Sequence, residues 1–81
     1  MRVEHTLTVV AKCPVDESPD VYEVVVRATR LVKVEDILAA VALHTQAPVF
    51  QEMLTVALHR ELACEVETRG WHSNVRTVVV C

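Results

Sequence analysis

The order β-β-α-α-β-β places this 81-residue chain in the α+β class. Three observations carry that expectation. Period-two alternation of apolar and polar residues runs through 3–12 and 21–30, as half-buried strands require. From Lys33 to Leu62 the apolar period becomes helical. Alternation and β-branched composition then return at 64–68 and 75–81. A strand pair, a helix pair and a second strand pair predict one four-stranded antiparallel sheet with both helices on one face. No low-complexity tract, repeat or internal boundary interrupts the pattern, so residues 1–81 form a single domain.

In the first strand, Val3, His5, Leu7, Val9 and Ala11 share one face, and Glu4, Thr6, Thr8, Val10 and Lys12 the other. Pro14 and Pro19 cannot donate to a ladder and mark the loop 13–20. That loop of about eight residues is longer than a hairpin needs, and such loops often carry function. Strand 21–30 sets Tyr22, Val24, Val26 and Ala28 against Glu23, Val25, Arg27 and Thr29. The first helix runs to about Thr45 on Val34, Ile37, Leu38, Ala40 and Val41, with Glu35 and Asp36 where the helix dipole favours acids. Pro48 separates it from a second helix, about Val49 to Leu62, whose stripe is Phe50, Met53, Leu54, Ala57, Leu58 and Glu61. Gly70, the only glycine, is expected at a turn or bulge, followed by a polar-aromatic segment Trp71–Asn74 and a last strand to Cys81.

The composition excludes several classes. A net charge of −3 with eight scattered Lys and Arg, and one residue each of Phe, Trp and Tyr, does not make a nucleic-acid surface. No apolar run has membrane-spanning length. The first residues, Met1-Arg2-Val3-Glu4-His5, lack the apolar segment of a secretory signal, so the three cysteines are expected as free thiols in the cytoplasm. A hydrophobic fraction of 52% exceeds what so small a domain easily buries. A valine-rich last strand adds an adhesive edge. Both features predict a homo-oligomer in which strands of neighbouring subunits join into a ring or barrel.

Cys13-Pro14-Val15-Asp16-Glu17-Ser18-Pro19-Asp20 concentrates the chemistry. Cys13 at the loop start could be a nucleophile, a metal ligand or an ordinary strand-end residue. Asp20, across the loop, could supply a proton to a thiolate's reaction partner. The other thiols and imidazoles show no C-x-x-C or H-x-x-x-H spacing, so no metal is expected. Glu52 lies off the apolar stripe of its helix. It is either a solvated acid at a helix start or a carboxylate that binds an N–H-bearing ring edge in a pocket covered by a neighbouring subunit. Trp71 and His72 could line such a pocket or serve a turn.

The element order resembles the tunnelling fold, whose subunits form barrels that bind purine- or pterin-like rings at their interfaces. Cys13-Pro14 followed by Pro19-Asp20 resembles the C-P-x-x-x-x-P-D stretch of the 7-cyano-7-deazaguanine (nitrile) reductases of queuosine synthesis. Phe50-Gln51-Glu52 is similar to their F-H-E stretch, and Arg69-Gly70 to an R-G pair. Gln51-Glu52-x-Leu54-Thr55 also resembles the Q-E-R-L-T of type I GTP cyclohydrolases, but Asp16 stands where their Cys-x-x-His zinc motif needs histidine. The reductase resemblance implies that Cys13 forms a thioimide with a nitrile, Asp20 donates a proton and Glu52 anchors the deazaguanine. Beside Glu52, the residues expected to bind the substrate are Gln51, Trp71 and His72. The resemblance implies NADPH as hydride source, yet the family's basic E-S-K-S-x-K stretch falls near 32–38, which reads Val-Lys-Val-Glu-Asp-Ile-Leu. The histidine of F-H-E is Gln51, and the chain is shorter than those enzymes. Relatives that form the same thioimide and then add an amine show that the covalent step does not require the cofactor. The alternatives are a GTP or pterin enzyme of the cyclohydrolase type, or a non-catalytic purine- or pterin-binding module.

Overall fold

A computed structural model describes all residues, 1–81. Strand β1 spans Val3–Lys12 and β2 Pro19–Ala28; helices α1 and α2 span Val34–His44 and Gln51–Leu62; β3 spans Glu65–His72 and β4 Val75–Val80. The strands form one antiparallel sheet in the order β1-β2-β3-β4, so β1 and β4 are its edges. Both helices cover one face. Val9, Ala11, Tyr22, Val24, Val26 and Val66 from the sheet bury against Ile37, Ala40, Leu54, Leu58 and Leu62. Burial of each large aliphatic among them stabilises the fold by roughly 1.5–3 kcal/mol before entropy is counted. Arg30 ties the segment before α1 to the end of α2 by donating to the Leu62 carbonyl. Ala63 closes α2 in the left-handed region (φ 53°), its N–H bonded to the His59 carbonyl.

The opposite face carries an ionic ladder beside exposed Val10, Val21, Val78 and Val80. Arg27 donates from Nε to Glu4 (3.1 Å) and from Nη1 to Glu65 (3.1 Å) and Glu67 (3.0 Å). Arg69 donates to Glu67 and, at 2.8 Å, to Glu23. Beneath this network lies buried Val25. Burial works against ionisation of Glu67, but hydrogen bonds from Arg27 and Arg69 outweigh it and hold the carboxyl below its ordinary range.

Several boundaries differ from expectation, each for a local reason. Strand β2 begins at Pro19, not residue 21, because proline is tolerated as a first strand residue, where its missing N–H is not needed. The loop therefore shortens to 13–18, and Asp20 belongs to the strand, paired with Ala11. Gly70 is neither turn nor bulge. It lies inside β3 opposite Tyr22, and a Cβ there would stand 2.5 Å from Tyr22 Cδ1. The glycine is required by the tyrosine ring packed on it. The turn falls at Ser73 and Asn74, with φ 48° and 68°. Two positive-φ residues joining two strands match the twist of a tight hairpin. Helix α2 starts at Gln51, so its buried stripe is Gln51, Leu54, Thr55, Leu58 and Leu62. Phe50 and Met53, expected inside, are exposed. In α1 only Ile37 and Ala40 are buried, while Val34 and Leu38 face outward. No helix is long and apolar enough to cross a membrane.

Candidate active site

The 13–18 loop is built around Cys13. Its N–H donates to the Ser18 carbonyl (2.8 Å) and its carbonyl accepts from the Glu17 N–H (2.8 Å). Glu17 adopts φ 58° to turn the chain. Asp16 Oδ1 accepts from the Ser18 N–H (3.0 Å) and hydroxyl (2.6 Å), an Asx-type bracing of the loop. These donors from Ser18 hold the Asp16 carboxyl below its usual range. The thiol is thus presented from a loop with internal hydrogen bonds at the Lys12 end of the sheet.

Strand pairing brings the next groups to the same end. Asp20 and Tyr22, two apart in β2, share a face. The Tyr22 hydroxyl donates to Asp20 Oδ2 at 3.2 Å. Burial, together with the Asp20 charge, pushes the Tyr22 phenol well up, so it remains a donor. Tyr22 pairs with Gly70 across β2 and β3, and two residues further on in β3 comes His72. His72 Nδ1 lies 3.6 Å from Asp20 Oδ1, an ion-pair distance beyond hydrogen-bond reach. The His72 and Tyr22 rings pack with centroids 5.8 Å apart.

Helix α2 supplies the last wall. The Val49 N–H donates to the Lys12 carbonyl (3.0 Å), which fixes the start of α2 beside the Cys13 loop. Gln51, only 2% exposed, is committed to structure. Its Nε2 donates to the carbonyls of Thr68 (3.1 Å) and Thr77 (2.9 Å), clamping α2 onto β3 and β4. Its Oε1 meets His72 Nε2 at 3.1 Å. Behind it, the Thr55 hydroxyl donates to the Gln51 backbone carbonyl (2.8 Å), so the Thr68 hydroxyl is the donor in the 2.6 Å contact between the two threonines. Glu52, the next residue, is exposed in the first helical turn, where the dipole favours a carboxylate.

One cavity of about 490 Å³ is bounded by Cys13, Asp20, Tyr22, Gln51, Glu52 and His72, with Phe50 and Trp71 at its rim. Its volume lies within the range of small-molecule sites. All six residues expected from sequence to act together line it, although Trp71 is 67% exposed and also borders the ladder face of the sheet. Gln51 reaches the cavity with its amide already satisfied, so it orients His72 and retains little capacity for a ligand. Tyr22 also lines this cavity, although its place on the apolar face of β2 marks it as a core residue. Its i+2 relation to Asp20 within a strand was the available signal. Cys64 and Cys81 are free thiols too, and Cys64 lies at the other end of the sheet. No three His, Cys, Asp or Glu side chains converge in a metal-holding arrangement.

The fold is that of a tunnelling-fold protein. The chain superposes with a TM-score of 0.82 on the crystal structure of an archaeosine synthase QueF-like protein in its apo form, with 19% identity over 99% of this chain and 90% of the other. No family model matches the chain. No curated protein matches it.

Proposed function

We propose that this protein is an enzyme of 7-deazaguanine metabolism that forms a thioimide between Cys13 and a nitrile of the 7-cyano-7-deazaguanine type. The observation that carries the proposal is the gathering of Cys13, Asp20 and Glu52 around one cavity from a loop, a strand and a helix start. The Cys13 thiolate attacks the nitrile carbon, forming the S–C bond as one C≡N π bond breaks. That electron pair goes to nitrogen, which takes a proton from Asp20. Glu52 accepts hydrogen bonds from the N–H edge of the ring, and Phe50 and Trp71 supply apolar surface at the cavity mouth. A second reactant then completes the turnover, either hydride from NADPH or an amine. Segment 32–38 carries a single base, Lys33, and the solved structure of like fold is named a synthase rather than a reductase. Both favour the amine.

The setting proposed is a cytoplasmic homo-oligomer with the site between subunits. The edges β1 and β4 would pair with those of neighbours, and exposed Val10, Val21, Val78 and Val80 would line the closed interior. A cyclohydrolase-type reaction is less favoured, because no ligand cluster for zinc forms around Cys13.

The test is intact-mass spectrometry after mixing the protein with 7-cyano-7-deazaguanine. The expected product is a one-to-one adduct with the full mass of the nitrile and a new near-ultraviolet band, both abolished by Cys13→Ala. No adduct, or one that survives Cys13→Ala, overturns the proposal. Binding of purines or pterins without an adduct would instead identify a ring-binding module.

A further inference from the structure

We infer that His72, held in one tautomer by the buried amide of Gln51, is a positioning residue that stores the proton Asp20 delivers. The Gln51 side chain can sit only one way round. Its nitrogen faces two carbonyl oxygens, of Thr68 and Thr77, which accept and cannot donate. Its oxygen therefore faces His72, and at 3.1 Å it must accept from Nε2–H. In neutral His72 the proton is thus on Nε2, and Nδ1 turns an unprotonated lone pair toward Asp20 Oδ1, 3.6 Å away.

At that distance the imidazole nitrogen and the carboxylate oxygen face one another without a hydrogen bond, two acceptors side by side. Together they offer two acceptor atoms, Nδ1 and Oδ1, on which a proton released by Cys13 can be received. The other carboxylate oxygen, Oδ2, is occupied by the Tyr22 hydroxyl. Tyr22 keeps that proton, since burial and the Asp20 charge push its phenol up. Proton traffic is thereby directed through Oδ1 and Nδ1. The titratable groups around the pair are Cys13 and Asp16 from the loop, Tyr22 from β2 and Glu52 from α2.

The inference rests on the thioimide chemistry proposed above, and it closes its proton balance. A cysteine that attacks as thiolate must first lose a proton, and the nitrile nitrogen must then gain one. The Cys13 proton moves to the Asp20–His72 pair, giving thiolate and a protonated pair with no change in net charge. As the S–C bond forms, the pair returns that proton to nitrogen through Asp20. His72 is left neutral with Nε2–H still on Gln51, and no solvent proton is consumed. Gln51 takes the place that a histidine has in the resembling F-H-E stretch, and the imidazole is supplied instead from β3.

Two measurements on the full chain decide the matter. The first uses ¹⁵N-labelled protein without ligand. The His72 ring nitrogens, assigned by their loss in His72→Gln, are expected to show Nε2 protonated throughout a pH titration and Nδ1 alone exchanging its proton. A neutral Nδ1–H tautomer overturns the inference whether or not the nitrile reacts. The second is the pH profile of adduct formation with 7-cyano-7-deazaguanine. His72→Gln, which can still donate to Gln51, is expected to slow the reaction by roughly 100-fold, the scale of a positioned proton donor. The acidic limb of its profile should move to lower pH, because a carboxylate alone, without the imidazole, must then accept the Cys13 proton. The far-ultraviolet circular dichroism and urea midpoint of the variant should match those of the native chain and report an intact fold. An unchanged rate and acidic limb overturn the proton-store role while leaving the thioimide proposal standing. Absence of any adduct with the native chain overturns that proposal, and the nitrogen titration still decides the pairing of His72.

Discussion

The two ends of the sheet make an instructive contrast. At the end where β1 begins and β2 finishes lies the larger cavity, about 650 Å³, bordered by Arg2, Glu4, Arg27, Arg30, Cys64 and Glu65. It contains a thiol, acids and bases, as the Cys13 end does. Its groups, however, are already spent on one another. Arg27 serves three carboxylates, Arg30 caps the carbonyl of Leu62, and the His59 ring contacts the Cys64 carbonyl at 2.8 Å. Burial also pushes the Cys64 thiol up, against a modest opposing effect of Arg30, which disfavours the thiolate. At the other end the cavity is smaller, but Glu52 has no protein partner and Asp20 shares its carboxylate with a neutral hydroxyl and an imidazole. On the proposed function, unspent hydrogen-bonding capacity rather than volume marks the reactive end.

The contrast can be broken most sharply with paired substitutions. The largest effect is expected for cysteine: Cys13→Ala removes the nitrile adduct entirely, and Cys64→Ala leaves it intact by mass spectrometry. Next come the glutamates. Glu52→Gln is expected to weaken binding of a deazaguanine by about 10- to 100-fold, the loss of a hydrogen bond to a charged acceptor. Glu65→Gln at the other end should leave the Kd from calorimetry unchanged. If the two behave alike, the assignment of ends is wrong.

Gly70→Ala probes the packing behind the site. A methyl group 2.5 Å from the Tyr22 ring must displace it, and overpacking of this kind costs about 1–3 kcal/mol. Urea denaturation should show that loss, with nitrile reactivity falling alongside as Tyr22 moves off Asp20.

The smallest effect is expected from Glu67→Gln in the ionic ladder. Glu67 is held below its ordinary range by Arg27 and Arg69 when folded, so it adds stability above the unfolded carboxylate range. That stability is lost as pH falls through the lowered folded value. The variant should be less stable by about 1.5 kcal/mol at pH 7, and the gap to the native chain should close on acidification. A gap that widens in acid would contradict the sign.

Much of this was legible in the residues. The alternation in β1 and β2 fixed which side chains face the helices, and the Cys13–Asp20 spacing with Glu52 pointed to one site. What stayed hidden depends on non-local pairing. Asp20 read as a loop residue because the prolines obscured the strand start. Gly70 read as a turn because a lone glycine suggests flexibility, whereas it answers to a tyrosine ring 48 positions earlier in the chain. Gln51 beside Glu52 looked like a ligand contact; only the placement of the Thr68 and Thr77 carbonyls shows its amide occupied. The outward faces of Phe50, Val34 and Leu38 follow from where the helices begin, which periodicity locates poorly.

The Gln51 clamp has a kinetic side. Its bond to the Thr77 carbonyl makes the six-residue edge strand β4 a tether of the site. Each time β4 frays, the amide loses one of its two carbonyl acceptors, keeps only Thr68, and holds His72 less firmly. The order of the Gln51–His72 pair therefore depends on the opening rate of an outer strand on the far side of β3. On the proposed chemistry, whatever shields that strand from solvent lengthens the interval during which a bound nitrile would react. Amide exchange at β4 and turnover at Cys13 should accordingly rise and fall in opposite directions.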